Sequence, residues 1–322
     1  MTSTIQVPTS ARGAESPRAG GGPVQRRSPI TRLRPWLLLA PALAVLAVLL
    51  LWPLVRVFLF SLQDYGLREI VSGEPNWIGI DNYLEVFTDP TLWTVVLPNT
   101  VGFAVLAVAG TVALGTAVAV LMASLGPFWR TIVGSAIMIA WAMPAVTGTY
   151  VWVWIFDADR GIFNETLQAL GLQDEPVNWF TNRYTFYAIV LLNVVHHGFP
   201  FVAITILAGL LGVPKEMLEA AEMDGAGAWR RFWRIIVPNL KQVFAVVIIL
   251  STIWDFKVFA QVFAVRQGGP NGATMTLPLY LYNTGIASSR FGLAAAGAVV
   301  MVLILAMAMV PYLRRTVRTE VD

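Results

Sequence analysis

Apolar positions in this chain neither alternate nor keep to one helical face; they fill long stretches from end to end. Six such runs, at about 36–62, 93–123, 131–156, 185–211, 242–265 and 291–313, are near or above the ~20 residues that a helix needs to cross a bilayer. Only a helix satisfies every backbone N–H and C=O inside its own segment when water is excluded, so the pattern predicts an all-α, polytopic membrane protein of six transmembrane helices. Pro41, Pro53, Pro98, Pro144 and Pro200 fall inside the runs and predict kinks, which lipid tolerates when neighbouring helices re-satisfy the freed backbone groups. Small residues at Gly102, Gly110, Gly115, Ala119, Gly292 and Gly297 predict close helix approach.

Between the runs the chain is polar. Residues 1–31 are rich in Ser, Pro, Gly and Arg without apolar periodicity, and read as a disordered tail before a 32–322 membrane domain. Arg26, Arg27, Arg32 and Arg34 before the first run have the look of a secretory signal. That run is too long for a signal core and lacks a small-residue cleavage site, so it reads as an uncleaved span.

The segment Leu211–Gln242, LGVPKEMLEAAEMDGAGAWRRFWRIIVPNLKQ, which holds the loop 212–241, is the long polar interruption that retains helical periodicity. Pro214 and Glu216 suit the first turn of a helix over 215–224, and Gly225 stands where helices end in a left-handed residue. Gly227 adds a second permissive point. A second short helix is expected from about Ala226, with Trp229, Phe232, Trp233 and Ile236 on one apolar face, Arg230, Arg231 and Arg234 mostly off it, and Pro238 ending or kinking it. Taken alone, this element also fits an amphipathic loop lying on the membrane surface.

Glu219-Ala220-Ala221, three residues, Gly225, nine residues, Ile235, one residue, Val237 and Pro238 resemble the "EAA" loop of permease subunits of bacterial ABC importers, with Val237 where leucine is usual. The resemblance implies that Glu219, Ala220, Ala221, Asp224, Gly225, Ile235 and Pro238 couple this chain to a cytoplasmic ATPase. Asn76–Trp93 resembles the "GLxNY" segment of sugar-type permeases at Gly79, Asn82 and Tyr83, and Gly268–Pro270 with Thr274 resembles their "TxGGP" loop. Together these pieces point to carbohydrate importers of the maltose-permease type. The family implies a second homologous permease, two ATPase subunits or an ATPase homodimer carrying ATP and Mg, and an extracytoplasmic sugar-binding protein. Asn-Trp and Gly-Gly-Pro are also ordinary turn chemistry.

Basic residues then fix an expected orientation. The tail, Arg130, the segment with Lys215, Arg230, Arg231, Arg234 and Lys241, and the terminal Arg314, Arg315 and Arg318 alternate with acidic loops carrying Asp64, Glu69, Glu74, Asp81, Glu85, Asp89, Asp157, Asp159, Glu165, Asp174 and Glu175. By the positive-inside rule both termini and the EAA-like loop lie in the cytoplasm of a bacterial inner membrane.

Composition narrows the chemistry. Of 322 residues 57% are hydrophobic and 13% charged, with two His and no Cys, which removes disulfides and thiolate chemistry. There is no GxxxxGK[ST] loop and no nucleophile–base arrangement, so the chain reads as a transporter subunit, not an enzyme; it is expected to hold no metal or cofactor and to bind no nucleic acid, only lipid and its partners.

Costly polar groups inside spans mark a path or an interhelical bond. In the fifth span Trp254, Lys257 and Gln261 are expected to share a face, with Asp255 on another side and in need of a partner other than Lys257; an aromatic beside a carboxylate and an amide suits a sugar. In the fourth, Asn193 and His197 stand one turn apart beside Pro200. Tyr150, Trp152 and Trp154 read as an interfacial belt. An ion-coupled secondary transporter using Asp255 or the histidines, and a non-transporting membrane scaffold, are the alternative classes.

Overall fold

The computed structural model describes the backbone of residues 29–266, 269 and 272–318, and side chains within 38–265, at 269 and within 272–310. The tail expected over residues 1–31 therefore lies largely outside the described residues, as do Gly268 and Pro270 of the outer turn and the side chains of Arg32, Arg34, Arg314, Arg315 and Arg318.

The chain divides into two compact units. The first, residues 1–54, carries α1 (Pro29–Leu46) and a π turn at Ala47–Leu51. Leu38–Ser61 is apolar and long enough to cross a membrane, and none of its residues in the most apolar window is buried. The second unit, from Val55 onward, opens with the end of α2 (Trp52–Ser61) and the short α3 (Leu67–Ser72) and α4 (Asp81–Thr88). A π turn at Leu92–Val96 then leads into α5 (Leu97–Ser124), so Leu92–Ser124 is one membrane-length helix. α6 (Pro127–Trp141) and α7 (Ala145–Ile155) meet at Pro144 with a bend of 92°, so the expected third span is a broken pair. After α8 (Ile162–Ala169) comes α9 (Arg183–Leu211), which continues through buried Pro200 as one helix.

The polar segment that follows holds α10 (Lys215–Met223), α11 (Ala228–Arg231), a π turn at Phe232–Ile236 and α12 (Val237–Asn239). α13 (Lys241–Phe256), α14 (Ala260–Arg266), α15 (Leu277–Tyr282), a π turn at Asn283–Ala287 and α16 (Phe291–Arg318) complete the chain. Among the described residues the β content is one isolated bridge, Gln63 to Trp77.

Proline explains three of the four π turns among the described residues. Each of those at 47–51, 92–96 and 232–236 ends two residues before a proline, Pro53, Pro98 or Pro238. A proline ring inside a helix crowds the carbonyl one turn back and offers no N–H. Widening the preceding turn lets the residue before the proline reach five residues back, as Trp52 N–H does to Ala47 O, Leu97 to Leu92 and Val237 to Phe232.

Three apolar clusters hold the second unit together. One joins Ala119 and Met122 of α5 to Val202, Ile206 and Leu207 of α9, with Val213, Leu240 and Val247. This is the end at which α5 and α9 both finish. The other two lie toward the opposite end, around Phe103, Phe156, Phe186 and Val262, and around Val86, Leu92, Leu277 and Leu293. α5 and α9 pack over their whole length, and Gly115 permits their closest approach: a Cβ there would stand 2.5 Å from Val202 Cγ1 and 3.0 Å from Phe199 O. Arg130 caps the end of α5, donating to the carbonyls of Met122, Ala123 and Leu125.

Side-chain amides tie the opposite end. Asn82 donates to Ser61 O and Gln63 O, and Tyr83 shares a hydrogen bond of 2.6 Å with Ser61, so two of the positions in the "GLxNY"-like segment fasten the end of α2. Asn164, on α8, donates to Asp157, Ala158 and Val177 carbonyls and accepts from Gln173, Val177 N–H and the Trp179 indole, giving the 156–182 loop its own hub.

Arg290 grips Glu85 with two bonds of 2.6 Å, and Tyr280 donates to Asp89 at 2.5 Å. The Arg290 hydrogen bond holds the Glu85 carboxyl below its ordinary range. Burial pushes the Asp89 carboxyl up, but the hydrogen bonds from Tyr280, Thr91 and Leu92 together outweigh it and leave it low. Burial and the bond to Asp89 push Tyr280 up to about 12. Carboxyls lowered by folding stabilise above their unfolded values, and that contribution is lost as pH falls through the lowered ones. The thermal midpoint in detergent is therefore expected to drop as pH is taken from 7 to 3, and Glu85→Gln to be less stable at pH 7 yet level with the wild type at the acid end. A gap between the two that stays constant with pH would rule out the ion pair as its source.

Candidate functional site

The first candidate is the loop between α9 and α13. α10 ends in a Schellman arrangement: Gly225 N–H donates to Glu222 O, Ala226 N–H to Ala221 O, and Gly225 has φ 75°, a backbone region that costs a residue with a Cβ. α11 starts at Ala228, two residues later than the periodicity suggests, because Gly227 is extended (φ −62°, ψ 164°) and serves as its N-cap. Glu219, Ala220, Asp224, Gly225 and Pro238 are exposed, and Ala221 and Ile235 half-buried. Leu218 and Ile236 reach the apolar cluster at the end of α5 and α9. Glu219, Ala220, Asp224 and Gly225 thus form an exposed ledge on a loop that two aliphatic side chains anchor, with Ala221 half-buried in it and Ile235 and Pro238 in the second half of the loop.

The expected apolar face on the second half of the loop is split. The π turn at Phe232–Ile236 adds a residue to the winding, so Trp229, Phe232, Trp233 and Val237 point one way while Ile236 joins the core. The three rings lie within 6.4 Å of one another. They close one end of an apolar groove of about 1130 Å³ that runs between α5, α13 and α16.

The second candidate is the polar interruption between α13 and α14, within the Lys241–Val265 span. Trp254, Lys257 and Gln261 do not share a face, contrary to the expectation from spacing. α13 stops at Phe256, Lys257 takes φ −101° and ψ 21°, and α14 begins only at Ala260, so the helical phase is lost between them. Lys257 is exposed at the break and Gln261 is buried beyond it. Asp255 is buried; its Oδ2 has no hydrogen-bond partner, and among the described residues it makes no ion pair with Lys257.

Around the break the structure gathers rings that are far apart in sequence. Phe201 of α9 meets Trp254 edge-on at 5.0 Å and stacks on Trp141 at 6.2 Å, and Trp141 is the last residue of α6 before the bend. Trp141 and Phe201 carry no local sign of this role. Asn193 turns out to be a structural tie, donating to Thr149 of α7 at 2.9 Å, while His197, one turn on, is half-buried. His196 faces Trp152, ring to ring at 5.9 Å. Tyr150 and Trp154 are exposed, whereas Trp152 packs into the cluster around Phe156.

A further polar anchor escaped the periodicity altogether. Asn99, buried near the start of α5, donates to Ala273 O and Met275 O and accepts from Arg183, the first residue of α9. Thr100 accepts from Leu277 N–H. The backbone before α15 is thereby fastened to two spans.

Apolar helices of membrane length, a broken polar helix among them and a structured ledge at one end are the architecture of a membrane permease subunit. The chain belongs to the family of binding-protein-dependent transport system inner membrane components, whose model matches residues 115–319. It is 35% identical to the diacetylchitobiose uptake system permease protein DasB of Streptomyces coelicolor, over 98% of this chain and 96% of that one. The trehalose/maltose transport system permease protein MalF of Thermococcus litoralis is 32% identical over 77% of this chain and 82% of its own length. A solved bacterial ABC transporter that imports the acidic polysaccharide alginate has the same fold, with a TM-score of 0.76 at 19% identity over 90% of this chain and 98% of its own. The chain is a transport subunit of the inner membrane, and its family is not catalytic.

Proposed function

We propose that this chain is one half of the translocation path of an ATP-driven carbohydrate importer, and that the 219–238 loop is where an ATPase subunit docks. The observation that carries the reading is the ledge itself: Gly225 in a left-handed turn that presents Glu219, Ala220 and Asp224 at the surface of a loop seated on the apolar cluster at the end of α5 and α9. A second, homologous permease covers the groove between α5, α13 and α16, whose apolar lining suits another membrane helix. ATP and Mg sit on the ATPase pair, a sugar-binding protein delivers cargo at the opposite end, and both termini lie in the cytoplasm. Closure of the ATPases moves the loop, and rigid shifts of the spans expose the path alternately to the two sides.

The cargo passes the break after Phe256. Trp254 and Phe201 offer ring faces to a sugar, Asp255 holds a buried carboxylate oxygen with no hydrogen-bond partner among the described residues that a shift of the helices would have to uncover, and Lys257, Gln261, His197 and Asn193 are the further candidates. The named relatives that carry diacetylchitobiose, trehalose or maltose support a carbohydrate cargo.

Gentle purification of the tagged chain from its membrane, with mass-spectrometric identification of what stays bound, tests the assembly. A P-loop ATPase and a second multi-span protein are expected; the chain alone, moving solute in vesicles without ATP, would overturn it. Trp254→Ala and Asp255→Leu are expected to cut sugar uptake about tenfold while leaving assembly intact, as the loss of one well-packed ring or one buried hydrogen bond implies. The uncommitted carboxylate of Asp255 also favours an ion-coupled transporter as the second reading, which predicts uptake that collapses with an uncoupler and ignores ATP depletion.

A further inference from the structure

α10 and α11 are joined only by Gly225, Ala226 and Gly227 beyond the cap at Asp224, and neither glycine has any atom within 4 Å of where a Cβ would lie. The two glycine positions themselves therefore carry no packing that would stiffen the turn. Backbone hydrogen bonds close the end of α10 but do not extend across Gly227 into α11, whose first bond, Arg231 N–H to Gly227 O, is internal. Among the described residues an ion pair spans the joint: Arg231 Nη1 meets Glu222 Oε2 at 2.9 Å. Arg231 is the last residue of α11 and Glu222 lies in the last turn of α10, so the pair closes a loop around the glycine turn.

We infer that the Glu222–Arg231 pair is a brace that sets the angle of the turn, and that Arg231 is a positioning residue for coupling. The inference rests on the proposed role of the loop as the ATPase docking element. An element that receives a push transmits displacement to the spans only if it does not fold at its own hinge. With two unpacked glycines at that hinge, stiffness comes from the closure between Glu222 and Arg231. Leu218 and Ile236, the side chains that seat the loop on the core, lie on either side of the joint, so flexing between them decouples one anchor from the other. The pair is partly solvent-exposed, with side-chain exposures of 25% for Arg231 and 66% for Glu222, so its contribution is modest and weakened by salt.

The test is the amount of sugar moved per ATP hydrolysed by the complete complex in proteoliposomes. Arg231→Glu and Glu222→Arg are each expected to lower that ratio about threefold, the scale of an exposed ion pair. The double reversal, Glu222→Arg with Arg231→Glu, restores it. As a check that needs no charge reversal, raising ionic strength lowers the ratio in the wild type more steeply than in Arg231→Gln. Single variants with a normal ratio, a double reversal that remains as low as the singles, or equal salt slopes would each overturn the brace. Gly225→Val separates the two levels: if it uncouples while the Arg231 variants do not, only the brace fails, whereas normal coupling in Gly225→Val removes the docking role beneath it.

Discussion

Gly225→Val is expected to leave the protein inserted and abundant while sugar uptake falls about tenfold and ATP hydrolysis by the complex persists. Gly225 has φ 75°, and an L-residue held in the left-handed region costs roughly 1–2 kcal/mol, with a β-branched side chain at the upper end. Nothing surrounds the site that a larger side chain would strike, so the penalty is backbone strain alone. The native turn then becomes five- to thirtyfold less populated by the ordinary conversion of that energy, roughly the factor that uptake should lose. The spans are untouched because Leu218 and Ile236 still seat the loop. Gly225→Asn gives the discriminating comparison, since asparagine tolerates the left-handed region and should retain most uptake. Equal uptake by the valine and asparagine variants would remove the turn geometry from the mechanism.

Gly115→Leu is expected to abolish the folded protein. A Cβ at Gly115 would lie 2.5 Å from Val202 Cγ1, 2.6 Å from Val202 Cβ and 3.0 Å from Phe199 O. Val202 Cγ1 could turn away, but Val202 Cβ and the Phe199 carbonyl are both fixed to the backbone of α9. α5 and α9 must then separate along the interface that organises the unit, with Ala119, Met122, Val202 and Ile206 losing contact together. Overpacking a core costs about 1–3 kcal/mol for a local misfit and more when backbone must move. The measurement is the monodisperse fraction after detergent extraction and size exclusion. Gly115→Ala with Val202→Gly should recover part of it, because the side-chain clash disappears and only the 3.0 Å approach to Phe199 remains. A monodisperse Gly115→Leu protein would show that the two helices do not pack this closely in the membrane.

These two residues also mark how far a sequence can be read. The all-helical membrane architecture was legible because each apolar run reports on itself: length and hydropathy suffice, and no partner is needed. The left-handed turn at Gly225 was legible for the same reason, since a helix stop is written within a few residues. Positions whose role depends on distant groups were not. Asn99 reads as one amide at the edge of an apolar run, and its partners Arg183, Ala273 and Met275 lie 84 to 176 positions away. Phe201 meets Trp141 on one side and Trp254 on the other only after three helices have packed. The break after Phe256 carries no glycine or proline, so continuing the helical phase from Trp254 to Gln261 was the natural reading and the mistaken one. Bending at Pro144 and continuity at Pro200 show the same dependence: one proline chemistry, two outcomes set by neighbours.

The π turn at Leu92–Val96 acts as a phase shifter. It holds one residue more than an α-turn would, and each residue advances a helix by about 100°. Every side chain of α5 therefore faces a direction fixed by that surplus residue, from Asn99 toward the 273–275 carbonyls to Gly115 toward Val202. Deleting any single residue between Leu92 and Val96 would leave composition and hydropathy almost unchanged, yet rotate the remainder of the helix by over a quarter of a turn. The amide would face away from its carbonyls and the glycine away from its valine. In such a helix the count of residues is as much a part of the information as their identity.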